Sequence, residues 1–209
     1  MKQTGAKVEW VFVGDQTGLL EAPSTYPLDR YALLRVPRPG LHPNRAAKFP
    51  KMNPWDYVNA PKSIWIDGSF RVTSPMFARD MLDTLELTDI AQFEHPWRDC
   101  VYDEAAETLR LPRYADVHSL IPAQMDKYRN LFNHPEHWGL WAAGVIARNH
   151  TEKMKVFGEM WLNENLGHSY QDQLSQAPLL KLNNLRPFNL FGTHFSNPWL
   201  SYEGSGRHN

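Results

Sequence analysis

The run SIWIDGS, residues 63–69, is an apolar stretch that ends on an acid, Asp67. In open α/β sheets ligands lie beyond the carboxyl ends of the strands, so this acid is placed to meet one. Carboxylate oxygens suit Mg²⁺ or Mn²⁺, and such an ion neutralises the charge on a departing diphosphate. Gly68 would let that ligand approach the backbone. An Asp-Gly turn that merely ends the strand is an equal alternative.

Two cations precede this strand at helical spacing. Arg45 and Lys48 lie three residues apart in a short predicted helical turn that Asn44 could cap, so both would face the same side. Two such cations can clamp phosphate oxygens. A solvated helix face is the alternative explanation of this spacing.

The segment FEHPWRDCVYDE, residues 93–104, is dense in functional groups directly after a predicted strand. His95, Arg98 and Asp99 are the candidates in it for binding or catalysis. The alternative is a surface network of salt bridges in which the later acids favour the first turn of a helix.

Two further candidates lie near the carboxyl end. Asp172 stands between Gln171 and Gln173 at a predicted helix start, and His194 follows in the run GTHF. Asp172 is equally explained as a capping acid, and His194 as a core histidine whose hydrogen bonds are satisfied.

Composition narrows the classes of function. The chain has 209 residues, a formal net charge of -1 and one cysteine, Cys100. We expect one domain over residues 1–209, with an irregular tail from about residue 196. The charge does not favour nucleic acid, and no apolar run is long enough to span a membrane. A cytoplasmic protein is expected.

No GxGxxG, Walker or HExxH pattern is present, which disfavours dinucleotide enzymes, P-loop kinases and zinc proteases.

The elements that must position these candidates alternate between strand and helix. Apolar runs predict strands at residues 8–13, 31–36, 62–67, 90–93 and 140–147. Helical periodicity predicts helices at residues 76–87, 99–111, 123–132, 151–166 and 171–177, and Pro178 is expected to end or kink the last one. The pattern indicates an α/β protein.

The order of the motifs resembles a known family. RAAK, SIWIDGS, HPWRDCVYDEA, GLWAAGVIARNH, MWLNE and YQDQLS occur in this order between about residues 8 and 194. This order is similar to that of the glycosyltransferase-like family of plant mucilage and pollen proteins and bacterial homologues, formerly a domain of unknown function. The resemblance implies a GT-A fold, that is, a Rossmann-like α/β/α sandwich with one mixed, mainly parallel sheet.

The resemblance also implies roles for residues. Asp67 takes the place of the acidic metal motif, in which Ser69 replaces the second acid, and His194 is a candidate further ligand of Mn²⁺ or Mg²⁺. The implied catalytic residues are Asp172, Arg98 and Asp99. The implied donor-binding residues are Arg45, Lys48, Asp67, Gly68, Ser69, His95, Arg148 and Gln173.

The function expected from the resemblance is transfer of a sugar from a nucleotide-diphosphate sugar, most simply a UDP-sugar, to a hydroxyl of a carbohydrate or other acceptor. A noncatalytic carbohydrate- or nucleotide-binding module on the same fold is the main alternative, because fold does not fix function. A metal-dependent hydrolase and a transferase acting on a hydroxylated DNA base are the others.

Overall fold

The computed structural model describes residues 3–14, 32–35 and 40–204 of the chain. Its strands are β1 Val11–Gly14, β2 Ala32–Arg35, β3 Lys62–Ile66, β4 Phe70–Val72, β5 Ile90–Glu94, β6 Trp141–Asn149, β7 Phe188–Asn189 and β8 Leu200–Tyr202. Its α-helices are α1 Pro43–Ala46, α2 Lys48–Met52, α3 Phe77–Thr84, α4 Val101–Thr108, α5 Ile121–Asn130, α6 Glu152–Gly167 and α7 Asp172–Leu182. Two 3₁₀ segments are Pro54–Asp56 and Pro112–Leu120.

The predicted α/β class is confirmed, and a four-stranded mixed sheet forms its centre. The strand order is β3-β6-β5-β7. The long strand β6 lies inside the sheet and is buried along most of its length, as the run LWAAGVIA predicts.

The pairing within this sheet differs from the mainly parallel arrangement that we expected. β6 is antiparallel to both β3 and β5, and only β5 and β7 are parallel. Glu94, at the end of β5, pairs with Trp141, at the start of β6. The connection through α4 and α5 therefore leaves and re-enters at the same end of the sheet, unlike a single crossover helix, which returns the chain to the opposite end.

Both faces of the sheet are covered by packed side chains. Ala143 and Ile146 of β6 pack with the cluster that contains α2 and α4–α7, while Ala142 and Val145 pack with the cluster that contains α3 and β8. Successive strand residues point to opposite faces, so one strand supplies both hydrophobic cores. The sheet thus forms the middle layer of an α/β/α-like arrangement.

Three sheets, rather than one, occur among residues 3–14, 32–35 and 40–204. β1 and β2 form a parallel pair, and β4 and β8 form an antiparallel pair. Positions 31 and 36, the predicted ends of the second strand, lie outside the described residues, as do residues 205–209 of the tail. The tail had been expected to be irregular, but β8 pairs with β4 because Leu200 is buried in the core cluster.

Proline has less effect on the last helix than predicted. α7 continues through Pro178 to Leu182, although proline removes a helix hydrogen bond. The helix is buried along most of its length, with Leu174, Leu179 and Leu180 among its core residues. Packing of this helix therefore offsets the lost backbone bond. No helix in the described part of the chain is both long and apolar enough to cross a membrane.

Candidate functional site

Asp67 follows β3 directly, and its backbone N–H donates to the carbonyl of Gly144 on β6 at 2.8 Å. Its side chain lies on the same side of the strand as Trp65, because residues two apart on a strand share a face. Oδ1 of Asp67 accepts from Nε1 of Trp65 at 2.6 Å and from Nζ of Lys51 at 3.1 Å. The side chain keeps 38% of its surface exposed, so the acid faces an open space as well as its partners.

Two lysines of α2 meet an acid at the start of α7. Oδ2 of Asp172 accepts from Nζ of Lys51 at 2.7 Å and from Nζ of Lys48 at 3.0 Å. The lysines reach the same carboxylate because residues three apart share a helix side. Together with Asp67, these residues form the lysine–aspartate cluster: Lys48, Lys51, Asp67 and Asp172.

Burial makes the charges in this cluster interdependent. Burial by itself raises the pKa of Asp172, but Lys48 and Lys51 outweigh it and hold that pKa well below its ordinary value. Burial lowers the pKa of Lys48, and its charge partner Asp172 only partly opposes this. For Lys51, burial is outweighed by Asp172 and Asp67, which raise its pKa. Asp172 is therefore a firmly ionised carboxylate that fixes both ammonium groups.

The cluster borders a cavity of about 420 Å³, which is within the size range of small-molecule sites. Lys48, Lys51 and Arg113 give its wall three formal cations, against the carboxylates of Asp67 and Asp172. The wall thus carries one excess positive charge. Its other lining residues are Asn44, Ala47, Trp65, Tyr114, Tyr170 and Gln171.

Aromatic rings occupy one part of this cavity. The rings of Tyr114 and Tyr170 lie 5.8 Å apart, and Tyr170 also stacks on His42 at 4.9 Å. The phenol of Tyr170 donates to Asp116 at 2.8 Å, which fixes the ring. Flat aromatic surfaces beside cations suit a ligand that joins a planar base to a phosphate group.

The comparison with protein-family models decides the relationship that the motif order suggests. The model for the TOD1/MUCI70 glycosyltransferase-like domain matches residues 38–196, which is more than half of the chain. The chain belongs to this family. Comparison with curated proteins and with solved structures gave no match.

The match to the TOD1/MUCI70 family is shorter than the resemblance suggested, since it begins at residue 38 rather than near residue 8. β1 and β2 lie before it. The lysine–aspartate cluster and all the residues that line the cavity lie within it.

The HPWRD segment of the family pattern forms a network behind the cavity. Arg98 donates through Nε to the buried carboxylate of Glu104, and Glu104 accepts from the side chain of Gln171 at 3.2 Å. Nδ1 of His95 accepts from the backbone N–H of Arg98 at 3.1 Å. Burial, the charge of Arg98 and nearby His194 lower the pKa of His95 to about 4, so its imidazole is neutral at pH 7. Through Gln171, this network reaches the wall of the cavity.

Asp99 lies apart from the cavity. Its carboxylate is exposed and pairs with Nδ1 of His137 at 2.7 Å, and the pKa of Asp99 is lowered by this hydrogen bond. Asp103, His137 and the sulfur of Cys100 lie within 4.8 Å of one another, with both Asp103 and His137 exposed. The catalytic role that the resemblance implies for Asp99 gains no support from this position.

Two arginines implied as donor-binding residues hold backbone carbonyls. Arg45 donates to the carbonyls of Asn165, Leu166 and His168 at the end of α6, with distances of 2.7 Å to Asn165 and 2.9 Å to His168. It thereby partners carbonyls that a helix end leaves unpaired.

α1 is capped by His42, whose Nδ1 accepts from the N–H of Asn44, rather than by Asn44 itself.

Arg148 is completely buried and donates to the carbonyls of Lys51 at 2.6 Å and Met52 at 3.3 Å. Burial lowers its pKa to about 9. Its Nε finds no hydrogen-bond partner among the described residues. Arg148 therefore fixes the end of α2, and with it the position of Lys51, rather than facing the cavity.

The remaining predicted residues lie at the margins of the site. Gly68 is exposed, with no heavy atom within 4 Å of the position that a Cβ would take. The carbonyl of Ser69 accepts from the N–H of Glu203 at 2.7 Å, which joins the turn to the tail. Gln173 accepts from the side chain of Gln171 at 3.1 Å and so supports a residue of the cavity wall.

The side chains around Asp67 suit a divalent ion whose remaining ligands would come from the phosphates of the substrate. Nδ1 of His194 is buried without a partner among the described residues, and its ring lies 5.9 Å from that of Phe70, whose N–H donates to the carbonyl of Asp67. Mg²⁺ and Mn²⁺ are commonly held by one or two protein groups plus substrate phosphates. Asp67 and His194 would be those groups, and the ion would neutralise diphosphate charge.

Lys51 is the main residue that the sequence interpretation missed. It lies at position i+3 from Lys48, which is the spacing already noted for Arg45 and Lys48. Pro50 indicated that the helical turn had ended, whereas α2 contains Pro50 near its start, where proline is tolerated. Tyr114 and Tyr170 carried no comparable signal, since aromatic residues are more often part of a core.

Proposed function

We propose that the protein transfers a sugar from a nucleotide-diphosphate sugar to an acceptor hydroxyl, with the cavity binding the donor. The observation that carries the proposal is the lysine–aspartate cluster at the wall of the cavity, in a chain of a glycosyltransferase-like family. A departing diphosphate gains negative charge, and fixed cations beside it lower the barrier.

Each member of the cluster has a separate task in this proposal. Lys48 is the less deeply buried lysine and contacts the diphosphate, while Lys51 holds Asp67 and Asp172 in place. Asp172 stays ionised because of both lysines, so it stabilises positive charge at the reacting carbon rather than accepting a proton. Tyr114 is the ring against which the base stacks, and the buried ring of Tyr170 supports it from 5.8 Å away.

Donor turnover tests the proposal directly. The protein is incubated with a panel of UDP-, GDP- and dTDP-sugars, with and without Mn²⁺, and release of nucleoside diphosphate is measured. We expect release from one class of donor, and a loss of about 100-fold or more in Asp67→Asn. Asp83→Asn is the matched control, because Asp83 is an exposed acid of α3 paired only with Arg79 among the described residues.

The outcomes separate the alternatives. Binding of a nucleotide sugar without release of its diphosphate would indicate a noncatalytic module and contradict the transferase proposal. Cleavage of phosphate esters without preference for a sugar would indicate a hydrolase. Full activity of the Asp67→Asn variant would show that Asp67 is not part of the catalytic site.

A further inference from the structure

Three aromatic side chains, one after β5 and two near the end of the described chain, form an exposed surface. Trp97 is 67% exposed, Phe195 42% and Tyr202 45%. The ring centroids of Trp97 and Phe195 are 5.4 Å apart, and those of Phe195 and Tyr202 are 5.1 Å apart. We call these three residues the aromatic surface. Contiguous apolar patches of this kind mark binding sites more often than scattered exposed residues do.

The aromatic surface is continuous with the turn that follows Asp67. Phe70 donates its backbone N–H to the carbonyl of Asp67 at 3.0 Å, and its ring contacts that of Tyr202 at 5.3 Å. The ring of His194 lies 3.9 Å from Phe195 and 5.9 Å from Phe70. Asp67 therefore borders both the cavity and the residues beneath the aromatic surface.

The packing beneath the rings holds them in place. Trp97 contacts the ring of the buried His95 at 5.7 Å, edge to face, and Tyr202 belongs to the paired strand β8. Side chains held in this way lose little conformational entropy when a ligand binds. The surface is therefore preorganised for its ligand.

The chemistry of the surface fits a carbohydrate. Sugar rings present flat faces of C–H groups that pack on aromatic rings, while their hydroxyls need polar partners at the edge. The phenol of Tyr202 and the indole N–H of Trp97 are such edge groups, since both side chains are exposed. Phe70 joins this surface to Asp67, so an acceptor bound here would extend toward an acid that also lines the cavity.

We propose that the aromatic surface of Trp97, Phe195 and Tyr202 binds the acceptor and that the acceptor is a carbohydrate chain. This inference rests on the proposed function for the role of the ligand as acceptor. The rings are inclined to one another by 38° and 90°, so successive sugars of such a chain would each pack on a different ring.

The test is affinity electrophoresis in native gels that contain dextran, xylan, mannan or hydroxyethylcellulose, without any nucleotide. We expect at least one polysaccharide to retard the protein, and Trp97→Ala and Phe195→Ala to weaken the retardation constant at least fivefold. Phe191→Ala is the control, because Phe191 is 78% exposed but is not one of the three rings. Thermal melting of each variant checks that it folds.

The donor reaction is measured on the same variants, so that the two proposals can fail separately. Release of diphosphate to water should be unchanged in Trp97→Ala, since Trp97 does not line the cavity. Diphosphate release without retardation in any gel would overturn carbohydrate binding at the aromatic surface and leave the transferase proposal standing. Retardation without release would overturn the transferase proposal, and with it the acceptor role of the ligand, but not carbohydrate binding at this surface. Retardation that survives in both alanine variants would also overturn the inference. Light scattering that shows a dimer lost in Trp97→Ala would assign the surface to self-association instead.

Discussion

The Nζ atom of Lys51 lies 2.7 Å from Oδ2 of Asp172, and both side chains are almost completely buried. This ion pair joins α2 to the first residue of α7, two elements far apart in sequence. Lys51 also contacts Asp67, so it links the strand end to both helices.

Replacing Lys51 should destabilise the protein more than replacing Lys48. Lys51→Met leaves Asp172 buried with one cation and removes the charged partner of Asp67, and breaking a buried pair costs about 3–5 kcal/mol. Lys48→Met leaves the 2.7 Å pair intact, so we expect a smaller loss. Urea unfolding measures both, and a smaller loss for Lys51→Met than for Lys48→Met would contradict this ranking.

Removing both charges of the pair should cost less stability than the sum of the two single losses. In Lys51→Met with Asp172→Asn, the buried carboxylate of Asp172 is removed together with its lysine, and only the 38%-exposed carboxylate of Asp67 is left beside the missing ammonium. We expect the double variant to be more stable than the sum of the two single losses indicates. Additive losses in the double-mutant cycle would show that the pair is not energetically coupled.

His95 should make the fold sensitive to mild acid. Its folded pKa of about 4 lies below the ordinary value of 6.5, so the unfolded chain binds more protons between these values. The stability that neutral His95 contributes is present above pH 6.5 and is lost as the pH falls from 6.5 toward 4. His95→Gln should flatten the fall in unfolding free energy between pH 6.5 and 4. An unchanged slope would contradict the assignment to His95.

Arg148 should affect donor binding without touching the donor. Arg148→Met removes the two bonds that hold the carbonyls of Lys51 and Met52, so the end of α2 loses its anchor. We expect donor affinity to fall about fivefold or more, with a lower melting temperature. Arg110→Met, which removes an exposed arginine paired with Glu107, is the control. Unchanged donor affinity in a folded Arg148→Met variant would show that Arg148 does not position the site.

The two glycines beside Asp67 should respond differently to alanine. A Cβ at Gly68 would meet nothing within 4 Å, so Gly68→Ala should change stability by less than about 0.5 kcal/mol. A Cβ at Gly144 would lie 2.7 Å from the ring of Phe70 and 3.4 Å from Oδ2 of Asp67. Gly144→Ala should therefore lower the melting temperature. Equal melting temperatures of the two variants would contradict the packing at Gly144.

The sequence predicted the parts of the fold that local patterns control. The strand that ends at Asp67 and the long helix α6 follow from an apolar run and from helical periodicity, and both are confirmed. The pairing direction of β6 was not predictable in this way, because it depends on the end of the sheet at which the chain re-enters.

The sequence predicted the site less well than the fold, because the type of a residue does not determine which group it contacts. Arg45 was expected to clamp phosphate, and the resemblance implied that Arg148 binds the donor, yet their partners are backbone carbonyls 120 and 97 residues away, respectively. Lys51 was missed because Pro50, directly before it, indicated that the helical turn had ended. Asp67 and Asp172 were proposed as site residues from local signals, and the structure brings them to the same lysine.

The central claim is that Lys48 at the wall of the cavity contacts the diphosphate of a nucleotide sugar. Isothermal titration calorimetry of UDP tests it most directly, with the wild type, Lys48→Met and the exposed-lysine control Lys153→Met. A charge-assisted bond to phosphate is worth about 1.5–3 kcal/mol, so the dissociation constant should rise at least tenfold in Lys48→Met and stay unchanged in Lys153→Met. Equal affinity of Lys48→Met and the wild type would contradict the account.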